Sequence, residues 1–171
     1  MKAFALFLFV IVANSAHSQN LYLIGNNSYK ATVSIGFQPN GSQGIDFVIM
    51  RKEDGSGMIA LSGESMQSSI AFRGNSYLFL DDGSRIVLID RRRYDFKDET
   101  ATTIYNLTAG EVEKLSQTSI NTIRATMKCV NCISSTAEGT FTVTNTEGYY
   151  QMGLGSTDRV DTAALVTELF E

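Results

Sequence analysis

Histidine occurs once in this chain, at His17, and tryptophan not at all. Proline is confined to Pro39 and cysteine to Cys129 and Cys132. Beyond the N-terminus no apolar run reaches the ~20 residues of a membrane-spanning helix, so no membrane span is expected in the processed chain.

The histidine is lost as well once the first residues are read. Lys2 is followed by the unbroken apolar stretch Ala3 to Ala13, too short to cross a bilayer but of the length of a secretory signal, and Ala16 and Ser18 supply small residues for cleavage between Ser18 and Gln19. Residues 1–18 are therefore expected to be a signal peptide and residues 19–171 a single β-rich domain, exported to the periplasm or secreted. Removing His17 removes every mechanism that needs an imidazole, including the Ser-His-Asp and Cys-His arrangements and histidine-bound zinc.

Cleavage takes 18 of 171 residues and leaves 153, enough for one core. The chain carries 14 basic and 18 acidic residues, and losing Lys2 leaves 13 against 18. A net charge of −5 argues against nucleic acid or an anionic membrane as partner.

What the sequence holds in quantity is alternation. Ala31, Val33, Ile35 and Phe37 alternate with Thr32, Ser34 and Gly36, which reads as one strand from Tyr29 to Phe37 after a first strand, Leu21 to Ile24. Ile45–Arg51 and Met58–Leu61 flank Glu53-Asp54-Gly55-Ser56-Gly57, and Tyr77–Leu80 and Arg85–Ile89 flank Asp81-Asp82-Gly83-Ser84. Both read as hairpins whose Asp-Gly pair supplies positive φ. Neither loop has the ligand ladder of a calcium-binding hand. Arg91-Arg92-Arg93 is matched by Asp90, Asp95, Asp98 and Glu99, so 90–99 reads as a solvated connection rather than an anion site.

After a strand at Thr100–Asn106, Thr108 and Glu111 form a capping box, with Leu107 and Val112 placed as a hydrophobic staple. A short helix should run to about Ser116 with Val112 and Leu115 inward. In the following strand Ile120, Thr122, Arg124 and Thr126 share one parity, and Ile123, Ala125 and Met127 the other. "GTFTVTN" is a further strand. A C-terminal helix capped by Ser156 or Thr157 should carry Val160, Ala164, Leu165 and Leu169 on its packed face. The expected class is mainly β (α+β): an antiparallel sheet or β-sandwich with one short capped helix and a C-terminal helix.

The strand-turn-strand "YLFLDDGSRIVL" followed by "TTIYNLTAGEVEKLSQTSINTIRATM" resembles small exported β-rich proteins of Gram-negative bacteria that belong to a family of unknown function. The resemblance covers roughly Ile70 to Lys128. It implies a β-rich domain and brings no activity, cofactor or site residue.

The pair Cys129-Val130-Asn131-Cys132 has redox spacing, yet a redox pair sits at the start of a helix, and here Ser134-Ser135-Thr136 follows with no helix signal. Zinc would need two more ligands, which the processed chain lacks. A disulfide between Cys129 and Cys132 across a tight turn is the expectation, contributing about 2 kcal/mol on loop entropy, with free or intermolecular thiols as the alternative.

No Gly-x-Ser-x-Gly elbow, phosphate loop or Ser-x-x-Lys occurs, so no catalytic, cofactor or metal residue is assigned. The function expected is a binding, interaction or structural module, its partner an envelope protein or a glycan. The competing class is a histidine-free, carboxylate-based hydrolase acting outside the cytoplasm. Partners are expected on the outer sheet faces and on loops Gln38–Gly44 and Asp90–Glu99.

Overall fold

The computed structural model describes residues 20–37, 44–64, 69–130, 138–146, 148–150 and 159–171. Its elements are β1 (Asn20–Ile24), β2 (Asn27–Ala31), β3 (Ile35–Phe37), β4 (Ile45–Arg51), β5 (Gly57–Glu64), β6 (Ile70–Phe72), β7 (Ser76–Leu80), β8 (Arg85–Leu88), β9 (Tyr94–Lys97) and β10 (Thr100–Leu107). Helix α1 (Ala109–Gln117), β11 (Ile120–Cys129), β12 (Gly139–Thr144), β13 (Gly148–Tyr150) and α2 (Thr162–Phe170) complete them. The chain is mainly β, with two antiparallel sheets and two helices, as its alternation predicts.

The larger sheet runs β1-β2-β4-β5-β10-β9, with β3 also paired to β4 and β13 to β3. The smaller runs β12-β11-β7-β8, with β6 paired to another stretch of β11. Their inner faces share one cluster. Phe47, Ile59, Leu61 and Tyr105 come from the larger sheet, and Phe72, Leu78, Ile86 and Ile123 from the smaller. Each such buried side chain contributes roughly 1.5–3 kcal/mol.

Both Asp-Gly hairpins form as the sequence dictates, and they use the same turn. The Lys52 carbonyl accepts from Gly55 N–H at 3.3 Å and Lys52 N–H donates to the Ser56 carbonyl at 2.9 Å; Leu80, Gly83 and Ser84 repeat this at 3.1 and 2.9 Å. Gly55 and Gly83 take φ of 78° and 80°, the left-handed residue that a type I turn with a bulge demands.

The capping box also forms. Thr108 Oγ1 accepts from Glu111 N–H while the Glu111 carboxylate accepts from Thr108 N–H, and Val112 and Leu115 are buried.

Four expectations are corrected. The strand predicted over Tyr29–Phe37 is broken at residues 32–34. Thr32 donates its N–H to the Ile49 carbonyl and its Oγ1 accepts from Ile49 N–H, so side chain replaces backbone in the ladder beside β4. The kink moves Ala31 to a second cluster, with Met50, Met58 and Ala60, while Ile35 and Phe37 stay in the main core.

The connection expected over 90–99 contains β9, which pairs with β10 as an edge strand of the larger sheet. Its charged residues alternate with Tyr94 and Phe96, which pack on the core. An edge strand tolerates such charge. The reversal is made by Asp98 and Glu99, both at positive φ.

In β11 a register shift between Ile120 and Thr122 turns Ile120 inward, away from the parity of Thr122, Arg124 and Thr126.

The C-terminal helix is capped by Asp161, whose side chain accepts from Ala164 N–H, and Ser156 and Thr157 lie outside the described residues. Val160, just before the helix, is buried in the core and Leu165 and Leu169 pack against it as expected, but Ala164 is exposed and the buried helical positions are Thr162 and Val166. The helix docks on α1 and the end of β4: Thr167 Oγ1 donates to the Ser116 carbonyl at 3.1 Å and Arg51 donates to the Leu169 carbonyl at 3.2 Å. The packing is close at Gly57, where a Cβ would stand 3.0 Å from the Met50 carbonyl and 3.2 Å from both Phe170 and Val112.

Candidate functional site

Alternation fixes what the outer face of the smaller sheet presents. In β7, Leu78 and Leu80 point into the core and Tyr77 and Phe79 out; in β11, Ile123, Ala125 and Met127 point in and Thr122, Arg124, Thr126 and Lys128 out. In β8, Arg85 and Val87 alternate with buried Ile86 and Leu88. In β12, Thr140, Thr142 and Thr144 flank Phe141 and buried Val143.

Register then assembles these side chains. Arg124 lies opposite Tyr77 on one side and Thr142 on the other, and Arg85 lies opposite Phe79. Directly opposed side chains in an antiparallel pair are in contact range. Tyr77 and Phe79 stack with ring centroids 6.4 Å apart and planes 28° from parallel. Thr126 and Thr140 share a hydrogen bond of 3.0 Å.

An open cavity of about 490 Å³ covers this face, lined by Arg73, Gly74, Asn75, Tyr77, Phe79, Arg85, Arg124, Thr126, Lys128 and Thr140. Four of these side chains are cationic and none is a carboxylate. Among the described residues the ion pairs are Arg73–Asp90 and Arg159–Asp81, so Arg85, Arg124 and Lys128 are cations without an acidic partner there. In a chain with more acidic than basic residues, the side chains lining this cavity are locally cationic.

One end of the face is built by Asp90. Its Oδ2 accepts from Arg73 Nε at 3.2 Å and from Gly74 N–H at 2.8 Å, and its Oδ1 accepts from Arg92 N–H at 2.6 Å. Burial opposes ionisation of this carboxylate, but the donors from Arg92, Gly74 and Arg73 together hold it below the usual range. Arg73 is thereby fixed over the Tyr94 ring at 5.3 Å.

Two other cavities differ in chemistry. One of about 520 Å³ lies against the β1–β2 hairpin, with Asp46 as the one carboxylate among its described lining residues, beside Ser62, Thr32 and Tyr22. Burial raises the Tyr22 pKa, and the charge of Asp95 adds to the effect. The other, about 1040 Å³, spreads between the same hairpin and the turn at Lys52–Asp54. Its carboxylates, Glu53 and Asp54, are exposed, and Asp54 Oδ1 accepts from the N–H and hydroxyl of Ser56 at 2.9 and 2.6 Å. Asp82 is engaged in the same way by Ser84, which holds both turn carboxylates below their usual pKa. Among the described residues no three His, Cys, Asp or Glu side chains gather as a metal site, and no helix is long and apolar enough to cross a membrane.

The sequence-predicted positions fall as follows. Cys129 ends β11 opposite Ile70, its N–H donating to Glu138 Oε1 at 2.9 Å. It is disulfide-bonded, and no described cysteine is free. Cys132, Ser18, Gln19 and residues 38–43 lie outside the described residues. Arg91, Arg92 and Arg93 are exposed, with Arg92 at φ 58°. They do not join the cationic face.

No local sequence signal marks Tyr77, Phe79, Arg85 or Lys128 as functional. The parity of Thr122, Arg124 and Thr126 is visible in the sequence, and Lys128 continues it. What joins them to Tyr77 is the pairing of β7 with β11, which no local pattern encodes.

No family model matches the chain, and neither does any curated protein or solved structure.

Proposed function

We propose that this chain is an exported binding module of the cell envelope that engages its partner through the outer face of the smaller sheet. The observation that carries this reading is the stacked Tyr77–Phe79 pair bordered by Arg85, Arg124 and Lys128, three cations without an acidic partner among the described residues. Aromatic rings with planar cations beside them form a contact surface whose burial and charge-assisted hydrogen bonds supply affinity without chemistry. Export rests on the Lys2-to-Ser18 pattern, with cleavage before Gln19, and is in keeping with the resemblance to exported proteins of Gram-negative bacteria. In that compartment a Cys129–Cys132 staple is stable, and Cys132 is the one other cysteine available to Cys129.

A carboxylate-based hydrolase would need two acidic groups facing one another in a cleft, roughly 5 to 9 Å apart. The acidic pair lining a described cavity, Glu53 and Asp54, sits exposed on a turn. The binding reading is therefore preferred.

The test is capture from envelope extract by immobilised processed protein, comparing the natural chain with an Arg124→Glu, Lys128→Glu variant. Both residues are exposed, so folding is preserved. A component retained by the natural chain and lost with the variant supports the reading. Equal retention by both proteins contradicts it.

A further inference from the structure

We infer that the partner of this face is an acidic polysaccharide chain, an inference that rests on the face being the binding surface. Shape argues first. The face is the open side of a sheet rather than an enclosed pocket, and Arg124 and Lys128 stand four residues apart on it, roughly 13 Å at ~3.3 Å per residue. Arg85 lies on β8, two strands from β11, so roughly 10 Å across at ~4.8 Å per strand. The backbone positions of the three cations are thus spread over the face rather than gathered at one point. A polymer with a charge on successive units matches that spread, each anion taking one cation while the chain crosses the sheet.

Chemistry argues next. Between the cations lie the half-buried rings of Tyr77 and Phe79, whose flat faces suit the apolar C–H faces of sugar rings. The Thr126 and Thr140 hydroxyls, bonded to one another, keep acceptor capacity for sugar hydroxyls. A lipid surface calls for protruding apolar side chains, and the strongly exposed ones in the described residues, Leu21, Leu23 and Ile89, do not line this cavity. The acidic character of the whole chain adds the expectation that binding is short-range and quenched by salt rather than steered from afar.

The experiment titrates the purified exported protein with alginate, a polyuronate, and in parallel with neutral dextran, phosphatidylglycerol vesicles and a thymidine oligonucleotide. The expected result is binding to alginate and not dextran, weakened by added salt. An Arg124→Gln, Lys128→Gln variant should bind roughly tenfold or more weakly, from the loss of two charge-assisted contacts. A Lys97→Gln variant, on β9 of the other sheet, should bind unchanged. If vesicles or the oligonucleotide bind in an Arg124-dependent way and alginate does not, the polysaccharide inference falls and the surface reading stands. Alginate binding that survives the double substitution overturns the surface reading itself. Failure to bind alginate at low salt overturns the inference.

Discussion

Tyr105 Oη and Ser76 Oγ meet at 3.0 Å in the middle of the core, one from the larger sheet and one from the smaller, both fully buried. Burial pushes the Tyr105 hydroxyl up to about 12, against an opposing hydrogen bond from Ser76. Since the folded pKa lies above the unfolded value of about 10, the linked stability is fully present below pH 10 and is lost as pH rises from about 10 to 12. Tyr105→Phe should cost about 1–3 kcal/mol at neutral pH by leaving Ser76 unpartnered, and should flatten the alkaline fall in stability. Urea midpoints of both proteins from pH 7 to 11 check this. Parallel curves would show that Tyr105 does not carry the alkaline dependence.

Asn145 anchors the C-terminal segment. Its Nδ2 donates to the Ile120 and Val160 carbonyls at 2.9 and 2.7 Å, and its Oδ1 accepts from Val160 N–H at 2.9 Å. Asn145→Ala leaves three buried backbone groups without that partner and should cost about 2–4 kcal/mol. Asn145→Asp should not rescue it, because a carboxylate cannot donate to two carbonyls. Hydrogen exchange should show protection lost first in α2. Retained protection there would contradict the anchoring role.

Two glycines predict opposite signs. A Cβ at Gly63 would stand 2.9 Å from Phe72 Cζ inside the core, so Gly63→Ala should destabilise by about 1–3 kcal/mol. A Cβ at Gly110, in α1, meets nothing within 4 Å, so Gly110→Ala should stabilise by about 0.4–1 kcal/mol. Thermal unfolding of the two variants separates them.

The cysteines give a chemical prediction. The native protein should expose no reactive thiol, and reduction should lower stability by about 2 kcal/mol. Two cysteines labelled without denaturant would exclude the Cys129–Cys132 staple.

Much of this architecture is local and therefore legible. The Asp54-Gly55 and Asp82-Gly83 turns require positive φ, and the Thr108–Glu111 box satisfies a helix start within four residues. The failures lie where a distant group competes with local pattern. Thr32 breaks an alternating run because Ile49 offers a partner for its hydroxyl. Ile120 leaves its parity because β7 pairs through a bulge, and β9 hides because its edge position tolerates charge. The candidate site is of the second kind. Arg124 and Lys128 share a visible parity, but their approach to Tyr77, Phe79 and Arg85 depends on strands about forty to fifty residues apart.

Amide chemical-shift mapping with alginate oligosaccharides tests the central claim most directly. The account predicts saturable shifts concentrated on β7, β8 and β11, around Tyr77, Phe79, Arg85, Arg124 and Lys128, reversed by salt. Shifts confined to the β1–β2 hairpin or to the turn at Lys52–Asp54, with the smaller sheet unmoved, would contradict it.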